Sequence, residues 1–574
     1  MLKQLGEMIR GKQTGAGDVP ASDRGFPWDV AAVLAFSLIC MLPYYHLPPS
    51  EVDEGLITVG AERILWGQIP YRDFFSELGP ASFYLQAVIF KMVGLNVTAA
   101  RLTAWLLGGA ISGLIYLLAR RLMPGFRALL TSSIFVLVVY PSCYYLSHHW
   151  WGNLFLLLMV LSVLKSLPRA PEEIETRDKV WLFLAGVLAT MTLVSMQTKG
   201  IWAIAMTSAF LITHPWLAGR RTWQGAVGLG CRHAAWFLAG AAASIGTVAG
   251  YFVYHGAASA WLEDNFSFLL ANYWTYAVEV PHTSALQTLI HFGHLALTQW
   301  SVHFNFYFIN IVFFLFLAPT LAFGGTAWQL LSARRPQRLE ARILLLYLFE
   351  GLGAFFSEFH AHDEYHLAVA APLMLVLLVY QWGSMTRGRG ALSLLARATA
   401  LTAVAFMLTF AAHKANNALH VDAPVETRRG VLYVRPTALE QTREVINAIQ
   451  QRVPPGGETF VYPYVAELYF YTATRNPTRF DVLLPEFHSP AQVDETIARL
   501  RSARPKFIFS FEKIQRWKIR AHFPDDPPDA VFPHPVGKAL AAPGSGYHLD
   551  GTFESGYSTV QGKIAEVAVW AADK

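Results

Sequence analysis

The sequence predicts a polytopic α-helical membrane protein with a C-terminal α/β domain, and three observations carry that expectation. Hydrophobic residues make up 54% of the 574 and charged residues only 15%, well below the roughly 25% charged expected of soluble domains. Apolar runs of about the 20 residues needed to cross a bilayer recur through the N-terminal two thirds. Lysine and arginine gather in alternate gaps between those runs, and the last part of the chain turns polar, with proline and glycine punctuation.

The candidate spans lie at 28–47, 100–121, 127–147, 150–167, 180–197, 199–217, 231–255, 307–331, 341–358, 366–383 and 391–412. Before the first, residues 1–27 carry Lys3, Arg10, Lys12 and Arg24, and the run itself ends in Leu47-Pro48-Pro49 without a small-residue cleavage site, as in a signal anchor. Basic residues fill the gaps around Arg120, Arg121 and Arg127; Lys165 to Lys179; Arg220, Arg221 and Arg232; Arg334 to Arg342; and Arg387 to Arg397. The intervening gaps are nearly bare of positive charge, and 256–306 has neither lysine nor arginine. By the positive-inside rule the N-terminus is cytoplasmic, while 48–80, 147–150, 256–306, 359–366 and the tail are extracytoplasmic. Residues 80–94 are apolar but short; a span there would invert every later loop, so they read as an interfacial or re-entrant helix. These features predict a multi-pass membrane protein with a cytoplasmic N-terminus and an extracytoplasmic C-terminal domain.

Beyond the membrane part, 28–412, the tail 413–574 reads as a soluble α/β domain. Helices are expected at 437–452 and 490–502, with strands at Glu458–Tyr464, Lys506–Glu512 and Ala565–Trp570. The three cysteines lie in or beside apolar runs and suggest neither a disulfide framework nor a zinc site. No basic stripe suggests a nucleic-acid partner. No internal repeat suggests an inverted-repeat transporter.

The loop 48–80 is the most informative stretch. It contains Glu51-Val52-Asp53-Glu54, then Tyr71-Arg72-Asp73-Phe74, and closes with Glu77-Leu78-Gly79-Pro80 before Tyr84. Helix capping and solvation account for these acids in purely structural terms. Partial desolvation at a membrane edge would instead raise their pKa values and suit one of them to accept a proton from a hydroxyl. The second loop, Tyr144 to Asn153, carries His148-His149; the turn Gln197-Thr198-Lys199-Gly200 carries a lysine, which snorkelling also explains. The last turn, Phe359 to His366, is dense in ligand-type groups. His362 and His366 share a helix face there, and with Asp363 or Glu364 they form a candidate metal set. Glu350 lies inside an apolar run, and an intramembrane acid is a functional candidate in its own right; Glu358 lies at the edge of that run. His282, His291, His294 and His303 are scattered and read as loop-surface residues.

A signal-anchor helix followed by the Asp53-Glu54 pair resembles the GT-C superfamily of polyprenyl-phosphate-sugar-dependent glycosyltransferases. So do the Tyr-Arg-Asp-Phe at 71–74, the Gly-Pro-x-x-x-Tyr at 79–84, and the Gly-Leu-Asn-x-x-x-x-Arg-Leu at 94–102 before a helix ending Ala-Arg-Arg-Leu. The protein mannosyltransferase, aminoarabinose transferase and RgtA/B/C/D-like branches are the nearest in pattern, chiefly over 28–215. The resemblance implies a GT-C fold with about 11–13 membrane helices. It also implies an inverting transfer of a sugar from a polyprenyl-phosphate donor to a cell-envelope glycan, lipid or protein.

On the same resemblance, Asp53 or Glu54 is the catalytic base. Glu77, with Asp73, His148 and His149 nearby, serves the acceptor or a metal, and Lys199, His362 and His366 meet the donor phosphate. A divalent ion held by Asp53 and Glu77 is compatible with this pattern, which does not decide whether one is needed. The second loop departs from the pattern: relatives often place an aspartate where this chain has histidines and Asn153. The run Tyr469 to Pro477 resembles a turn found in the soluble domains of such transferases, without a named role. A transporter or lipid flippase and a catalytically inactive assembly partner remain as alternatives; the first would place its acids near the bilayer midplane, and the missing second-loop aspartate keeps the other open.

Overall fold

The computed structural model describes residues 26–47, 52–167, 176–217, 223–273, 313–332, 338–358, 364–386, 390–463, 465–483, 488–511, 535–555 and 565–573. Where described, the expected spans form helices, residues 307–312 of the span expected at 307–331 lying outside the described residues: α1 (Phe26–Met41), α4 (Val97–Ala119), α5 (Gly125–Ile134), α6 (His148–Ser166), α7 (Thr176–Leu193), α8 (Gln197–Leu217) and α9 (Trp223–Tyr254). After α9 come a short α10 (Ala258–Leu262), then α11 (Gly325–Ser332), α12 (Arg338–Ser357), α13 (Glu364–Met385) and α14 (Ala391–Leu419). Between α1 and α4 lie α2 (Val52–Leu65) and α3 (Pro80–Val93). Among the described residues, five helical segments are by themselves long and apolar enough to cross a membrane: Val97–Ala119, Gly125–Cys143, Gln224–Tyr254, Tyr365–Met385 and Ser393–Leu419.

The 14 residues of α3 rise only about 21 Å, too little to cross a hydrocarbon core of roughly 30 Å upright. Its first turn is fixed by backbone, since the Ala81 amide donates to the Val194 carbonyl at 2.9 Å. Gly79 lies so close to that carbonyl that a Cβ would stand 2.3 Å from it.

Small residues set the packing elsewhere in the bundle. A Cβ on Gly186 of α7 would lie 2.0 Å from the Phe237 carbonyl oxygen of α9, and one on Gly240 of α9 would lie 2.0 Å from that of Phe183. Glycine on both faces lets the two backbones touch, the usual device where lipid removes any hydrophobic drive for helix association. Gly186→Leu is therefore expected to separate α7 from α9 and cost about 1–3 kcal/mol or more, read as a lowered unfolding temperature in detergent. Interhelical hydroxyls add to the packing: Ser112 meets Ser37 at 2.7 Å and Ser132 at 2.5 Å.

The last helix continues to Leu419, beyond the 412 boundary expected from hydropathy. A hairpin follows, β1 (Ala423–Thr427) with β2 (Gly430–Val434), then α15 (Leu439–Arg452), β3 (Phe460–Tyr462) and α16 (Glu467–Thr472). The chain continues with α17 (Pro490–Ala503), β4 (Phe507–Phe511), α18 (Pro535–Ala541), β5 (Tyr547–Ser555) and β6 (Ala565–Ala572). The four-stranded sheet has the order β3-β4-β6-β5, with β3 parallel to β4 and the other pairs antiparallel. The hairpin and β5 were not expected from the sequence. This region packs directly on α2 and α3: Val59, Ala61, Ala87 and Phe90 share a core with Val465, Leu468, Tyr469 and Phe470.

Candidate functional site

Asp53 and Glu54 occupy the first turn of α2, where the helix dipole favours acids. Consecutive helical residues point in different directions, and this separates the pair. Glu54 turns inward, is fully buried and pairs with Arg101 of α4, so it neutralises a buried cation. Asp53 faces the turn that begins α6.

That turn is held by Ser147, whose hydroxyl caps α6 by accepting the His149 amide at 3.2 Å. The same hydroxyl lies 3.2 Å from Asp53 Oδ2 and 2.6 Å from the Tyr365 hydroxyl. His148 Nδ1 is 3.0 Å from Asp53 Oδ2. The next ring, His149, points to the other side, with Nδ1 3.2 Å from Glu358 Oε1. Glu358 in turn pairs with Lys199 Nζ at 2.9 Å. Lys199 also donates to Asn153 Oδ1 at 2.9 Å, and Asn153 donates to the Val369 carbonyl at 2.8 Å. A polar chain thus runs from Asp53 through the two histidines and Glu358 to Lys199 inside an otherwise apolar bundle. Lys199 is 1% exposed, so the lysine is built into the interior and does not reach out from a helix end.

Burial pushes the Asp53 carboxyl up, but His148, with His149 and the Ser147 hydroxyl, outweighs it and holds the group at about 2. Burial pushes Glu77 up as well, there to about 7, with the nearby Asp53 charge adding to the rise. Glu77 is seated over the start of α8, its carbonyl accepting from Gln197 Nε2 at 2.9 Å. Asp73 is occupied locally: it accepts the Ile69 amide at 2.7 Å and pairs with Arg72 at 2.8 Å, which shapes the loop. Glu350 accepts from Thr207 at 2.6 Å, deeper between α8 and α12. Glu51, His360, His362, Asp363 and the scattered histidines at 282, 291, 294 and 303 lie outside the described residues.

Two groups were not singled out in the sequence for the positions they take. Glu358 supplies a carboxylate against His149, on the side where the second loop offers no acid. Asp264, 4% exposed, lies 3.6 Å from Arg479. Its neighbour Asn265 joins the loop by donating to the Ser76 carbonyl at 3.2 Å and accepting from Gln197 at 3.1 Å. The only sequence signal for Asp264 was an acid in a stretch without lysine or arginine.

Burial raises Asp264 to about 7, with Arg479 opposing. An unfolded aspartate titrates near 4, so between about 4 and 7 the folded state holds the extra proton and stability falls as pH rises. Asp264→Asn is expected to remove that decline, seen as a flatter dependence of unfolding temperature on pH.

Among the described residues, two sets of side chains could hold a metal: Asp53, His148 and His149, and His149, Glu358 and His366, with ligand atoms in each set within 4.8 Å of one another. Glu358 Oε2 is buried without a hydrogen-bond partner, and mixed nitrogen and oxygen donors suit a zinc-class ion. Glu77, expected beside Asp53 as a ligand, belongs to neither set among the described residues.

Residues 77–231 match the dolichyl-phosphate-mannose-protein mannosyltransferase family. No curated protein matches the chain by sequence. Among solved structures, ArnT from Cupriavidus metallidurans bound to undecaprenyl phosphate is similar with a TM-score of 0.50 and 14% identity, covering 94% of this chain and 97% of that one. The archaeal oligosaccharyltransferase AglB from Archaeoglobus fulgidus, in complex with an inhibitory peptide and a dolichol-phosphate, is similar with a TM-score of 0.50 and 11% identity, covering 94% and 74%. The fold is that of the GT-C superfamily. The same oligosaccharyltransferase in complex with Zn and sulfate is similar at a TM-score of 0.50 and 12% identity, covering 95% and 73%. In this fold α2, α6, α8, α13 and the end of α12 bring Asp53, His148, His149, Lys199, Glu358 and His366 together.

Proposed function

We propose that this GT-C chain is an inverting glycosyltransferase of the bacterial inner membrane. It moves a sugar from a polyprenyl-phosphate donor to an extracytoplasmic glycan, lipid or protein. The observation that carries the reading is the polar chain with Asp53 at one end and Lys199 at the other. A carboxylate and a buried cation, joined through the packed His148 and His149 rings and Glu358, offer a place for an acceptor hydroxyl and for a departing phosphate.

Asp53 stays ionised at neutral pH. Both described contacts fall on Oδ2, which leaves Oδ1 for the acceptor. As the hydroxyl oxygen bonds to the anomeric carbon, its proton passes to Asp53. The bond from that carbon to the phosphate breaks on the opposite face, and its electrons go to the phosphate. Lys199 offsets the charge gathering there. The pairing with Glu358 fixes the lysine's position in advance, and the bilayer receives the polyprenyl tail, so only the headgroup has to reach the loop. A divalent ion held by Asp53, His148 and His149 would supply further positive charge near the leaving group.

Purified protein in nanodiscs, given an undecaprenyl-phosphate sugar and an extract of envelope acceptors, tests the reading. Loss of donor with appearance of glycosylated product supports it. Donor that changes leaflet without being consumed would point to a flippase, and donor that stays intact in place would point to an inactive assembly partner.

A further inference from the structure

We infer that the C-terminal loop 475–481 sets the position of Asp53 by gripping the far end of α2, with Arg63 as the positioning residue. This deepens the reading above and rests on it for the role of Asp53.

Arg63 is 1% exposed, and its Nη2 is met from the C-terminal region, while Nη1 donates to the Asp73 carbonyl at 3.5 Å. Arg63 Nη2 lies 3.0 Å from Asp481 Oδ1 and donates to the Thr478 carbonyl at 2.8 Å and the Asn476 carbonyl at 3.3 Å. Asn476 braces the same carboxylate, donating to Asp481 Oδ1 at 3.0 Å. One residue along, Glu62 pairs with Arg429, and at the end of the helix the Arg475 guanidinium sits 4.4 Å over the Trp66 ring. The other end of α2 is confined as well, because a Cβ on Gly55 would stand 3.0 Å from the Glu467 amide of α16. The helix that carries Asp53 is thereby docked on the C-terminal region along its length. The run Tyr469 to Pro477 acquires a purpose that its sequence did not disclose, since it leads into the loop that holds Arg63.

The groups assigned to the donor phosphate have a different origin. Lys199, His149 and Glu358 come from α8, α6 and the end of α12, and none of their described contacts involves the C-terminal region. Loosening the grip therefore moves Asp53 relative to a donor seat that stays in place. A misplacement of about 1 Å far from the chemistry can cost on the order of 100-fold in rate.

The test uses the protein in nanodiscs with Asp481→Asn, Arg63→Lys and the milder Arg475→Ala, which removes the contact over Trp66 and the positive charge near Glu62. Two readouts are taken: steady-state transfer from an undecaprenyl-phosphate sugar, and amide hydrogen exchange by peptide. The expected result is a kcat lowered by roughly 10- to 100-fold, with a donor KM within about threefold of wild type. Exchange should quicken across 52–65 while 97–119 stays protected. Two results would overturn the inference: exchange across 52–65 unchanged in all three variants, or faster exchange there with kcat intact. A global rise in exchange for Asp481→Asn and Arg475→Ala alike would also reject it, as a general folding defect. If wild type consumes no donor, the transferase reading fails, and the exchange arm still decides whether the loop restrains α2.

Discussion

Asp53→Asn is expected to lower transfer by about 10²–10⁴-fold while leaving donor binding close to wild type, the range found when a positioned proton acceptor is removed. The asparagine keeps the size of the side chain and can still accept from the Ser147 hydroxyl, now 3.2 Å from Oδ2, so the start of α6 need not move. It cannot take up a proton, and it removes the charge that faces His148 at 3.0 Å. Because the wild-type carboxyl is held at about 2, its own titration leaves no limb in the rate profile above about pH 4. Rates measured from pH 5 to 9 for wild type and Asp53→Asn decide the matter. A variant with more than about a tenth of wild-type kcat would remove Asp53 from the base position. His148→Ala supplies the complementary test: if His148 took the proton itself, that variant would fall as far as Asp53→Asn.

The second large effect is expected at the other end of the polar chain. Lys199→Met leaves Glu358 buried with its lysine partner gone, and breaking one side of a buried pair costs about 3–5 kcal/mol. The double variant Lys199→Met with Glu358→Gln removes the uncompensated charge and is expected to regain most of that stability. It should not regain donor binding, because the cation proposed to meet the phosphate is absent. Unfolding temperature and binding of undecaprenyl phosphate, measured on both variants, separate the two roles. If the double variant binds the lipid phosphate as wild type does, Lys199 serves the fold alone.

The charge alternation and the length of the apolar runs made the helical membrane part legible, because both follow from the bilayer and not from neighbours in space. The acidic loop was legible as a candidate for the same reason. The different surroundings of Asp53 and Glu54 were not, since they depend on Arg101 lying on one side of α2 and the His148 turn on the other. Glu358 was visible only as an acid at the edge of an apolar run; its partners His149 and Lys199 are distant in the chain. The β1–β2 hairpin was hidden because its turn, Thr427-Arg428-Arg429-Gly430, lacks the usual asparagine or aspartate before glycine, and Pro424 stands inside its first strand. Strand β5 reads as polar, and its register shifts between Leu549 and Gly551, which breaks the alternation that would have marked it.

The backbone seam at Gly79 and Val194 has a consequence for how the protein meets membranes of different thickness. Bilayers that are thinner or thicker than the apolar length of a bundle are accommodated by tilt, at a modest cost per ångström. The Ala81 amide and the Gln197 side chain tie the Glu77 turn to the junction of α7 and α8, a few residues from Lys199. The acid and the lysine are then set at depths that shift together, because the spacing between them is held by peptide groups and not by the lipid. A change in acyl-chain length would tilt the whole assembly and alter how easily a donor enters, while the distance between the two charges stayed the same.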